Sequence, residues 1–99
     1  MVPDPVDHTV GTELERVVRR WQQLPLDRVL PAVPEVSALV QTLADETALA
    51  RGSDPVPVPD LGPAVLMDQL RVMVYDWQAA GLSQDDLADR LTALRRSLP

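Results

Sequence analysis

The sequence predicts an all-α fold, a compact bundle of about four helices, and three observations carry that prediction. Apolar residues recur at spacings of three and four along the long segments. No segment alternates with the period of two that a half-buried strand requires. Gly, Ser, Thr and Pro fall where helices start and stop. At 99 residues the chain has the length of one domain around a single small core. The expected organisation is a single helical domain over 1–99, with a flexible arm over 1–11. Two αα-hairpins pack on each other, joined by a Pro-rich extended connector over 52–62.

The first helix is expected to start at Thr12, where Thr12-Glu13-Leu14-Glu15 reads as a capping box. Leu14, Val17, Val18, Trp21 and Leu24 then form one apolar stripe, Glu15 and Arg19 pair on the wet side, and Pro25 ends the helix. Residues 26–33 could hold a single helical turn, Asp27-Arg28-Val29-Leu30, cut by Pro31, and Pro34 offers the fixed φ that suits the first position of a new helix. From Glu35 the stripe Val36, Leu39, Val40, Leu43, Thr47 and Ala50 runs to Gly52, which can take the left-handed closing conformation. Pro55, Pro57 and Pro59 at alternate positions bias the connector to an extended path.

The third helix, 63–80, is the most apolar and has two apolar sides. Leu66, Met67, Leu70, Met73, Val74 and Trp77 form its main stripe. At 100° per residue, Val65, Val72 and Ala79 fall elsewhere, with Tyr75 beside them. Gly81 closes it, and Ser83 caps a fourth helix with acids in its first turn and Leu82 placed to staple onto Leu87. Leu87, Leu91, Leu94 and Leu98 make a seam for lengthwise packing, and Asp86 pairs with Arg90.

Composition narrows the function classes. Hydrophobic residues make up 45% and charged residues 24%, the balance of an ordinary globular chain. With 3% aromatics and no Phe, the core is expected to rest on Leu and Val, with Trp21 and Trp77 as its largest pieces. All nine Lys and Arg residues are Arg, a bias expected of a GC-rich bacterial genome. The chain has no Cys, no signal-peptide pattern and no apolar run of membrane length, so it is expected to be cytoplasmic, without a membrane partner.

The segment from Leu70 to Leu91, ending in "AAGLSQDDLADRL", resembles the first two helices of the repressor-type helix-turn-helix family. The resemblance implies a DNA-binding regulator whose third helix enters the major groove. The sequence departs from that pattern after Leu91: Thr92-Ala93-Leu94-Arg95-Arg96-Ser97-Leu98 continues the same leucine stripe, leaving no recognition helix. A net charge of -6 also opposes phosphate binding, and acids lie within a turn or on the same helix as Arg16, Arg19, Arg20, Arg95 and Arg96. No nucleic-acid partner is expected.

His8 is the only histidine, so neither a Cys/His metal site nor a Ser-His-Asp or Cys-His pair can be assembled within the chain. Asp85, Asp86 and Asp89 are explained by the positive end of the fourth helix. Asp68 can pair with Arg71, and Asp76 lies between Tyr75 and Trp77. Four glycines leave little for a phosphate loop. No catalytic residue, metal or cofactor is expected, and an enzyme of unknown type stands only as an alternative. The expected role is a small interaction or regulatory protein that presents helix faces to itself, as a homodimer, or to a protein partner. The candidate interface is Val65, Val72, Tyr75 and Ala79, unless helices one, two and four cover that stripe within the monomer.

Overall fold

A computed structural model describes residues 5–99, with side chains from Val10 onward; residues 1–4 and the side chain of His8 lie outside the described residues. Four helices follow in order: α1 (Pro5–Gln23), α2 (Leu26–Ala50), α3 (Pro63–Ala79) and α4 (Gln84–Ser97), with no strand among the described residues. None of these helices is long and apolar enough to cross a membrane.

The pairs that pack along their lengths are α1 with α4 and α2 with α3, and α2 also touches α4. The Pro-rich connector therefore lies within the α2–α3 pair. The molecule measures 40 × 38 × 17 Å. Its short dimension is less than two helix diameters with side chains, so each helix has a side facing water. Val17, Val36, Val40, Leu43, Leu70, Leu87 and Leu91 are fully buried at the centre, with Trp21 and Trp77 beside them.

Two expectations need correction. The first helix starts at Pro5 rather than Thr12, so helix occupies most of what was expected to be a flexible arm over 1–11. Val10 explains the extension: its side chain is buried in the core, and that burial offsets the propensity cost of Gly11 inside the helix. Thr12 is consequently mid-helix, and Glu15 neither caps it nor meets Arg19. Instead Glu15 accepts a hydrogen bond from Arg71 of α3 at 2.9 Å.

The second correction concerns α2, which runs unbroken from Leu26 through Pro31 and Pro34. Each proline removes a backbone donor, leaving the Asp27 and Leu30 carbonyls without their intrahelical partner. Pro31 and Pro34 are themselves exposed, whereas Val29, Ala32 and Val36 are buried. The deficit thus falls on the side where water can reach, and the packed side holds the helix together.

The remaining boundaries follow the local signals. Gly52 and Gly81 have φ of 73° and 75°. Each sits in a closing motif in which the next residue's N–H reaches back to the helix: Ser53 to the Ala48 carbonyl at 2.8 Å, and Leu82 to the Trp77 carbonyl at 3.3 Å. Ser83 caps α4 by accepting from the Asp86 N–H at 3.1 Å. Beyond Leu91, where a helix-turn-helix would break, α4 continues to Ser97 and buries Leu94. The expected Asp86–Arg90 pair is present at 2.9 Å.

Candidate functional site

The side chains of α3 divide as their angles require. Leu66, Met67, Leu70, Val74 and Trp77 point into the core. On the other side Val72 is 52% and Tyr75 71% exposed. Ala79 is also exposed and Val65 is half-buried. Helices one, two and four thus leave this stripe open, with Val65 alone partly covered. Asp68 is exposed along one edge, and its expected partner Arg71 turns instead to Glu15. Asp76 is half-buried on the opposite edge, where its backbone carbonyl accepts a hydrogen bond from Arg51 at 3.4 Å.

Beside that stripe lies a groove of about 600 Å³ between the C-terminal half of α2, the connector and α3. Ala44, Ala48, Val56, Val58, Val72 and Met73 supply its apolar walls, and Asp54, Asp68 and Asp76 stand with Arg51 among its polar groups. Two glutamines hold the connector in place. Gln41 donates to the Val56 carbonyl at 3.2 Å and accepts from the Val58 N–H at 2.8 Å, while Gln69 donates to the Pro59 carbonyl at 3.0 Å. Pro55 and Pro57 have no N–H to offer, so the connector makes a poor template for an added strand. Recognition here rests on side chains. Neither glutamine carries a signal that sequence reading could use, because a helical Gln fits an exposed position equally well.

A second polar cluster ties α1 to α4. Glu13 is only 6% exposed, and its carboxylate accepts from Arg95 at 2.7 Å and from Arg16 at 3.0 Å. Burial pushes its pKa up, but the Arg95 hydrogen bond, the charges of Arg95 and Arg16 and a hydrogen bond from Thr92 outweigh it. The carboxyl is held below its ordinary value of 4.5. A depressed carboxyl contributes stability that is complete above its unfolded pKa and is lost as pH falls through the folded one. Glu13→Gln is therefore expected to cost about 2 kcal/mol at neutral pH, the worth of a charged hydrogen bond. Below pH 4.5 the gap should close. Urea midpoints of both proteins at pH 7 and in acid read this out.

A third cluster joins α2, α3 and α4. Arg90 donates to Glu46 and Asp86 and lies 5.2 Å from the centre of the Trp77 ring, whose Nε1 donates to the Ser83 carbonyl at 2.9 Å. Those two carboxylates push the Arg90 pKa further up and hold the guanidinium, charged at any ordinary pH, over the ring. Each bond in this cluster has a structural role at the α3–α4 corner. Among the described residues, no three acid, His or Cys side chains come together in a way that could hold a metal ion.

No family model, curated protein or solved structure matches this chain.

Proposed function

We propose that this chain is a non-enzymatic interaction module that associates with a second copy of itself through the outer side of α3. The observation that carries the reading is the exposure of Val72 and Tyr75 on a helix whose other side is fully occupied by the core. A slab this thin has a small core, and covering an apolar stripe stabilises it further.

The stripe is also self-complementary. A two-fold axis makes the same patch meet itself with the helices antiparallel, so each edge of α3 faces the same edge of its mate. Placing that axis between Asp68 and Gln69 sets Val65 directly against Val72 of the second copy. Tyr75 then comes level with Gly62 of the second copy, next in sequence to Leu61, a residue 57% exposed in the monomer. On the same edge, Asp68 comes within about 3 Å, along the axis, of the level of Arg71 of the second copy and about 1.5 Å of the level of Asp68 of the second copy, so the two Arg71 side chains flank and neutralise a pair of carboxylates. Arg71 is free to be shared because its pair with Glu15 is exposed on both sides and worth little.

Charge reversal tests both the association and its register. Asp68→Arg and Arg71→Asp are each expected to weaken self-association about tenfold, since each contact occurs twice in a symmetric dimer. The combined variant should restore it. Sedimentation equilibrium on the four proteins reads the result. Association without rescue in the combined variant would contradict the register alone. A monomer at every concentration would contradict the self-association reading itself.

A further inference from the structure

The sequence separates Arg16, Arg19 and Arg20 from Arg95 by most of the chain, and the fold brings them together. These four arginines, with Gln23 and Leu98, line an opening of about 350 Å³ where the C-terminal parts of α1 and α4 lie side by side. We propose that this opening is a binding site for a small phosphate-type polyanion.

The local charge balance supports the assignment. Glu13 is the acid that engages the cluster, and it is buried with both oxygens committed, one to Arg16 and one to Arg95. No carboxylate pairs with Arg19 or Arg20 among the described residues. Four guanidiniums thus face one carboxylate in a chain of net charge -6, so the opening concentrates positive charge that the molecule as a whole lacks. Favourable placement near helix C-termini explains Arg20 and Arg95, which lie in last turns. Arg16 answers the buried Glu13 charge, and Arg19, further from the helix end and without a carboxylate partner, is left with no structural role.

The geometry also favours a phosphate over a single carboxylate. Glu13 fixes the heads of Arg16 and Arg95, which lowers the entropy lost when a ligand engages them. Guanidinium forks approaching from two helices suit a tetrahedral group with three acceptor oxygens better than a planar one. The opening sits near the lower end of small-ligand pocket volumes, enough for a pyrophosphate or a small phosphate ester. This site is distinct from the α3 surface and stands or falls independently of it.

Calorimetric titration with inorganic pyrophosphate, at ionic strength held constant with sodium chloride, tests the proposal. The wild type is expected to bind one equivalent. Arg19→Gln/Arg20→Gln should bind at least tenfold more weakly with unchanged helicity, because both side chains are exposed. Arg28→Gln, exposed on α2 and not part of the lining of the opening, should bind as the wild type does. No saturable binding by the wild type, or equal binding by the Arg19/Arg20 variant, would overturn the site. Displacement of pyrophosphate by random duplex DNA at equal phosphate concentration would overturn its assignment to a small ligand.

Discussion

Replacing Trp77 with alanine is expected to remove about 4 kcal/mol of folding stability, within the range for truncating a buried aromatic. Three separate losses contribute. The ring is 3% exposed, so its removal leaves a cavity between α3 and its neighbours. Its Nε1 no longer donates to the Ser83 carbonyl, which frees the segment between α3 and α4 at the N-cap of α4. Arg90 loses the ring it lies over, although its carboxylate partners remain. Domains of this size are stable by about 5 to 15 kcal/mol, so the variant should keep only part of that margin. Urea unfolding followed by circular dichroism at 222 nm should show a much lower midpoint with a similar slope.

Val72→Asp should have the opposite profile, with little effect on folding and a large one on association. Leu70, two residues earlier, is completely buried, whereas more than half of Val72 faces water. The new carboxylate would stand four residues from both Asp68 and Asp76, and those like-charge pairs cost together about 1 kcal/mol at most. In the proposed dimer the same carboxylate is pressed against Val65 of the second copy, twice per complex. Burying each charge without a partner costs several kcal/mol, which weakens association by more than a hundredfold. The melting temperature measured on dilute protein should therefore fall by only a few degrees.

The contrast between those residues was legible in the sequence because α3 is regular: 100° per residue is enough to separate Leu70 from Val72. The boundaries of α3 and α4 were legible for a related reason. Pro63, Gly81 and Ser83 act through their own backbone geometry, without help from distant residues. The start of α1 was not, because Thr12 and Glu15 offer a plausible local cap that is overridden by the burial of Val10 in the core. Continuity through Pro31 and Pro34 was hidden similarly, since it depends on Val29, Ala32 and Val36 finding partners on other helices. What periodicity cannot give is which helices pair. The groove under the connector, the clamps made by Gln41 and Gln69 and the convergence of Arg16, Arg19 and Arg20 with Arg95 all follow from the α2–α3 and α1–α4 pairings.

The association of α3 with itself is tested most directly by the mass of the wild type and of Val72→Asp in solution. Both would be followed by light scattering behind size exclusion over a range of concentrations. The wild type is expected to rise from the 10.9 kDa of one chain toward twice that value, while Val72→Asp stays at one chain with its helical signal intact. A wild type that remains at one chain throughout, or a Val72→Asp protein that dimerises as the wild type does, would contradict it.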